Sequence, residues 1–171
     1  MKKIIRDKSK LIKIVATDVD GTLTDGGMYY SVKGDVMKKF HARDGMGVNL
    51  LRHRNIPTVL ITKEKNQINK KWAKNMNIQK VYDGIQRKEK LLKIVCSEFK
   101  VKPDEICYIG DDVNDLELLK IVGLSACPVD ANHLVKKESD IILKSQGGRG
   151  ALREITDLIL SVNFSKEKKI Y

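Results

Sequence analysis

The chain has 171 residues, 42% hydrophobic and 32% charged, with a formal net charge of +11. That length suits one domain with a real core, and no apolar run approaches membrane-spanning length, so no membrane partner is expected. The positive charge invites a nucleic-acid reading, but 26 of the 33 basic residues are Lys, spread over the whole chain, and aromatics are only 5%. Base readout leans on Arg and strand stacking on aromatic rings, so the expectation is a solvated lysine-rich surface that attracts phosphate esters, with no nucleic-acid partner.

Residues 1–10 read as an N-terminal extension, and the segment Met1 to Lys13 lacks the long apolar stretch of a signal peptide, which predicts a cytoplasmic protein. The apolar run Ile12 to Ala16 reads as a buried parallel strand, roughly Lys13 to Asp18, closed by Asp18, Asp20 and the turn residue Gly21. Gly26 to His41 predicts a β-hairpin around a Lys33-Gly34-Asp35 turn. Asp44 is expected to cap a helix running to about Arg54. A strand from Thr58 to Ile61 ends at Thr62, and a Lys-rich helix follows over about Asn66 to Met76. Val81 marks a short strand, Arg87 to Phe99 a helix, and Pro103-Asp104 a turn. Ile106 to Ile109 predicts a strand ending at Gly110, then a helix from Val113 to Ile121. Later strands are expected at Leu124 to Ala126 and Ile141 to Leu143, and Gly147-Gly148-Arg149-Gly150 leads into a last helix to about Leu160. Strands and helices alternate, which predicts an α/β fold: a parallel sheet with helices on both faces, in one domain over residues 11–162, before a mobile tail at 163–171. Cys96, Cys107 and Cys127 show no metal-binding spacing, nor do His41, His53 and His133.

In such a sheet, ligands gather where strands end. Two carboxylates one residue apart at a strand end repel each other unless a cation sits beside them, and hard oxygen ligands suit Mg²⁺. A calcium loop is excluded: counting from Asp18, its fifth and twelfth places hold Thr22 and Tyr29. The other strand ends carry Thr62, then Lys88 opening the helix after Val81, then Asp111 and Asp112 with Asp115 a turn further on. Taken singly, each has a bland reading as a turn former, a β-branched strand residue, a surface lysine or a helix cap. Together, in this order, they describe one site.

This order resembles the haloacid dehalogenase-type phosphatases over residues 11 to 160. The resemblance implies a three-layer, Rossmann-like fold and an aspartyl-phosphate mechanism. It implies Asp18 as nucleophile and Asp20 as general acid and base. Mg²⁺ would lie on Asp18, Asp20 (through its main-chain carbonyl) and Asp111, phosphate on Thr62 and Lys88, and Asp112 and Asp115 would support that set. The stretches Asp18 to Thr62 and Thr62 to Lys88 leave no room for a cap domain. LTDGGMYY, KKFHARDGMG, GDDVNDLELL and GGRGALRE are similar to the capless phosphatases of 3-deoxy-D-manno-octulosonate 8-phosphate and of nonulosonate 9-phosphates. Those are homotetramers in which hairpins of adjacent subunits complete the sites. The likeness implies a sugar-acid phosphate as substrate, with Arg43, Asp44, Glu64 and Arg149 as its contacts. Glu64, after Lys63, resembles the nine-carbon branch, whereas His41 to Gly45 leans to the eight-carbon one. A phosphomutase normally needs a cap. A polynucleotide 3′-phosphatase and a non-catalytic assembly module, as fused to acylneuraminate cytidylyltransferases, are the remaining alternatives.

Overall fold

The computed structural model describes residues 2–165. Six parallel strands form the central sheet: β1 (Ile14–Thr17), β4 (Thr58–Ile61), β5 (Lys80–Tyr82), β6 (Ile106–Ile109), β7 (Leu124–Cys127) and β8 (Ile141–Ile142). Their order is β5-β4-β1-β6-β7-β8. The hairpin β2 (Tyr29–Ser31) and β3 (Gly34–Met37) stands apart as an antiparallel pair. Among the described residues there are seven α-helices: α1 (Lys3–Leu11), α2 (Ala42–His53), α3 (Gln67–Asn75), α4 (Lys88–Phe99), α5 (Leu116–Leu119), α6 (His133–Glu138) and α7 (Ala151–Asn163).

β1 is buried on both faces, as its unbroken apolar run requires. Side chains alternate across a strand. Val15 thus joins Leu51, Leu60, Leu152 and Ile155 in a core under α2 and α7, while Ile14 and Ala16 join Val59, Leu92, Val95 and Tyr108 in a second core under α4 and α5. Each fully buried aliphatic side chain contributes about 1.5–3 kcal/mol by leaving water, so the two cores clamp the sheet from both sides. From β1 the chain winds outward through β4 and β5, then crosses back to β6, β7 and β8. The reversal lies at β1, so the ends of β4, β1 and β6 open into one crevice.

Several local expectations shift. The stretch expected as an N-terminal extension contains α1, which docks on α7: Ile5 and Ser9 are buried, and Asn163 Nδ2 donates to the Ser9 carbonyl at 2.9 Å. Asn163, placed at the start of the tail, thus ends α7, and Phe164 packs against the core. Residues 166–171 of that tail lie outside the described residues. The hairpin turns at Val32-Lys33, because Ser31 pairs with Gly34 and Gly34 takes φ +105° at the first strand position. The helix expected over Val113 to Ile121 is instead a 3₁₀ turn, Val113–Asp115, and the four residues of α5. The tight turn swings the Asp115 carboxylate back beneath the amides of Asp111 and Asp112. No helix among the described residues is long and apolar enough to cross a membrane.

Candidate active site

Asp18 follows β1, Thr62 follows β4 and Asp111 follows Gly110 at the end of β6, so neighbouring strands deliver all three to one crevice. A cleft of about 260 Å³ opens there, lined by Asp18, Asp20, Gly21, Gly26, Thr62, Lys63, Glu64, Asp111, Asp112 and Asn114. Gly21, at φ +84°, turns the chain directly after Asp20, and a β-carbon on it would overlap the Asp111 carboxylate. The carboxylate that Gly21 admits is held by the Thr22 hydroxyl at 3.2 Å. Gly147 sits on the Gly21 carbonyl where no β-carbon fits, and the Gly148 amide donates to the Thr22 carbonyl at 2.9 Å.

Asp18 is buried, with one oxygen accepting from the Val19 amide at 2.7 Å and the other 2.8 Å from the Lys88 ammonium. Lys88 opens α4 and is fully enclosed between Asp18 and Asp115, the latter at 2.6 Å. Burial pushes the lysine toward its neutral form, but the charges of Asp18 and Asp115 outweigh it and hold its pKa above the ordinary value. Asp115 also accepts from the Tyr108 hydroxyl at 2.5 Å and from the amides of Asp111 and Asp112 at 3.0 and 3.3 Å. Burial first, then the negative charge of Asp115, raises Asp18 to about 7 despite Lys88. Burial, Asp18 and Asp115 raise Asp111 to about 8.

These shifts are what two desolvated carboxylates show when they face each other without enough positive charge. Ligand oxygens of Asp18, Asp111 and Asp115 lie within 4.8 Å of one another. Asp115 already accepts four hydrogen bonds, so Asp18 and Asp111 carry the free ligand capacity. Hard oxygen donors in a repelling pair fit a small divalent cation such as Mg²⁺. The Asp20 side chain turns away from this pair to Lys38, at 2.6 Å.

Thr62 is buried at the cleft, where its hydroxyl accepts from the Glu64 amide at 3.3 Å. Asp112 accepts from Asn132 at 3.3 Å at the rim. Asp44 departs from expectation on two counts. The N-cap of α2 is His41, whose Nδ1 accepts from the Arg43 amide. Asp44 is instead fully buried, and its carboxylate accepts from the amides of Gly150 and Arg153 at 3.2 and 2.9 Å, capping α7. Burial raises its pKa against those hydrogen bonds. Its carboxylate oxygens are thus both engaged within the chain. Arg43 and Arg149 line a separate depression of about 350 Å³, with Arg153 and Asp157, rather than the Asp18 cleft.

Sequence reasoning missed three partners. Thr22 and Tyr108 sit beside known motif residues, and their type permits a hydroxyl contact without requiring one. Lys38 lies just past β3 with its side chain 5% exposed, 2.6 Å from Asp20, 3.1 Å from Glu64 and 3.8 Å from Asp35. Burial lowers its pKa, but hydrogen bonds and charge from Asp20 and Glu64 more than restore it.

The doubly wound sheet and the carboxylates at its switch point define a haloacid dehalogenase-like hydrolase, and the chain belongs to that family, whose pattern its residues 51–155 match. Within the family, it is 35% identical over 156 residues to the 3-deoxy-D-manno-octulosonate 8-phosphate phosphatase of Haemophilus influenzae, covering 91% of this chain and 87% of that one. The cobalt-bound structure of the H. influenzae enzyme superposes with a TM-score of 0.89 at 35% identity, covering 91% of each chain. The Moraxella catarrhalis phosphatase of the same name, solved with magnesium, phosphate and KDO, gives a TM-score of 0.91 at 31% identity over 95% of this chain and 93% of that one.

Proposed function

We propose that the chain is a Mg²⁺-dependent phosphatase of a 3-deoxy-2-keto sugar acid, with 3-deoxy-D-manno-octulosonate 8-phosphate as substrate. The observation that carries this reading is Asp18, buried at the end of the central strand beside Asp111 with the Lys88 ammonium on one oxygen. The names of the relatives favour the eight-carbon acid over a nine-carbon one.

Asp18 attacks phosphorus, the bond from phosphorus to the sugar oxygen breaks, and protonated Asp20 gives its proton to the leaving oxygen. Asp20, now ionised, takes a proton from water as that water attacks the phosphorus of the aspartyl-phosphate. The bond to Asp18 breaks and phosphate leaves. Lys88 and Thr62 offset the charge of the phosphoryl oxygens, while Asp115 fixes Lys88. Asp18, Asp111 and the main-chain carbonyl of Asp20 would hold the magnesium ion, which when bound supplies positive charge that draws two anions together.

A homotetramer is the proposed assembly, supported by the exposed apolar side chains of Met28, Tyr30, Val32, Val36 and Met37 on and beside the hairpin. A two-stranded ribbon is marginal unless packed. A cytoplasmic location is supported by three unpaired cysteines, which suit a reducing compartment. Turnover of octulosonate 8-phosphate, nonulosonate 9-phosphates and 3′-phosphorylated DNA, with and without Mg²⁺, tests the reading. The first should be preferred, and Asp18→Asn should be inert but folded. Preference for a nine-carbon ester would overturn the substrate, and normal turnover by Asp18→Asn the covalent mechanism.

A further inference from the structure

Nothing in the chemistry above explains why a hairpin lysine should be buried among three carboxylates. Lys38 follows β3 and meets Asp20 and Glu64, two residues that line the cleft from two different strand-end loops. Next to it, Asp35 accepts from Asn66 Nδ2 at 2.7 Å, and Asn66 is the residue that caps α3. The base of the hairpin is therefore pinned to the loop after β1 and to the loop after β4 at once.

Asp20 needs such a partner. Its side chain is 35% exposed, so packing does not fix its rotamer. No other cation is within ion-pair distance of it among the described residues. A carboxyl group that delivers a proton to a leaving oxygen must be held close to its productive geometry. One charge-assisted hydrogen bond from an ammonium whose side chain is 5% exposed, itself braced by Glu64, does this.

We infer that Lys38 is a positioning residue for the proton-transfer step. Through it the hairpin sets the aim of Asp20, and Glu64 serves as the brace of Lys38. The inference rests on the phosphatase reading above. It separates from a merely structural role because proton donation matters in proportion to how poor the leaving group is. An alkyl phosphate such as octulosonate 8-phosphate needs the proton, whereas 4-nitrophenyl phosphate releases a stable phenolate without it. The ratio kcat/KM reports steps up to the first loss of the leaving group, so the later water attack does not blur the comparison.

The experiment measures kcat/KM of wild type, Lys38→Met, Lys38→Arg, Asp20→Asn and the double variant Asp20→Asn/Lys38→Met on both esters, with circular dichroism as a check on folding. Lys38→Met should lose about 10–100-fold on the alkyl ester, the usual effect of removing an outer-layer hydrogen-bond partner, and only a few-fold on the aryl ester. Lys38→Arg should recover most of the alkyl rate. Adding Lys38→Met to Asp20→Asn should cost almost nothing further, since two residues acting through one group are not additive. Equal losses on the two esters, or additive losses in the double variant, would overturn the positioning role while leaving the phosphatase reading intact. A wild-type protein that hydrolyses neither ester would overturn the phosphatase reading, and this inference with it.

Discussion

Replacing Asp115 with Ala tests whether the site is held together from beneath. Asp115 is fully buried and accepts from Lys88, Tyr108 and two backbone amides. Its removal leaves the enclosed Lys88 ammonium with Asp18 alone, and three further donors without an acceptor. Breaking one side of a buried ion pair costs about 3–5 kcal/mol. Each orphaned buried donor adds on the order of 1–3 kcal/mol, partly included in that figure. Relief of the repulsion that Asp115 exerts on Asp18 and Asp111 acts in the opposite sense. The net expectation is a loss of about 3–5 kcal/mol. At about 2–4 °C per kcal/mol for a chain of this size, the melting point should fall by roughly 6–20 °C. Urea denaturation in Mg²⁺-free buffer gives the free energy, and steady-state turnover should fall with it as Lys88 loses its seat. Asp115→Asn, which keeps the volume and one acceptor but turns an NH₂ toward existing donors, should lie between the two. A loss below about 1 kcal/mol for the Ala variant would refute the claim that Asp115 organises the site.

In chelator, Asp18 and Asp111 are raised to about 7 and about 8, so the folded chain binds protons more tightly than the unfolded one. Their contribution to stability is therefore full in acid and lost as pH rises through those values. The urea midpoint should drop from about pH 4, where the unfolded carboxyls lose their protons, to about pH 8, where the folded ones have lost theirs, and saturating Mg²⁺ should flatten the slope; a midpoint that rises over that window in chelator would contradict the repelling pair. Activity should vanish on chelation and return with Mg²⁺, and full turnover in excess chelator would count against the metal. Asp44→Ala should lower stability by about 1–2 kcal/mol through loss of the α7 cap and leave KM unchanged; a raised KM with unaltered stability would restore Asp44 as a substrate contact. Charged residues at Tyr29 and Tyr30 should dissociate the assembly and remove activity together, and a fully active monomer by light scattering would refute the shared-site view.

Much of the site was legible because strand ends are legible. β1, β4 and β6 are short apolar runs, and whatever follows them must converge once the sheet order is 4-1-6, so Asp18, Thr62 and Asp111 could be read together. Their partners were not. Lys38 is one of 26 lysines, and only its ion pairs to two strand-end loops distinguish it. Asp44 shows the same limit from the other side. Its type rightly suggests a helix cap, but spacing along the chain points to its own helix, whereas its carboxylate serves one that begins at Ala151. Arg43 and Arg149 were grouped with the substrate by likeness alone, and within one chain they line a different depression. α1 was overlooked because its buried side is narrow, Ile5 and Ser9 alone, set among lysines.

The seating of Gly147 and Gly148 on the turn at Gly21 and Thr22 has a consequence for the order in which the protein comes to life. Asp18 and its turn are made well before Gly147 and Gly148, the residues on which that turn rests. A ribosome releases the N-terminal side first. Asp18 is therefore exposed to the cell for most of synthesis with its turn unsupported, and α7 lacks its place on Asp44 until the last segment emerges. A chain that stops before Gly147 carries Asp18 without the loop that seats its turn.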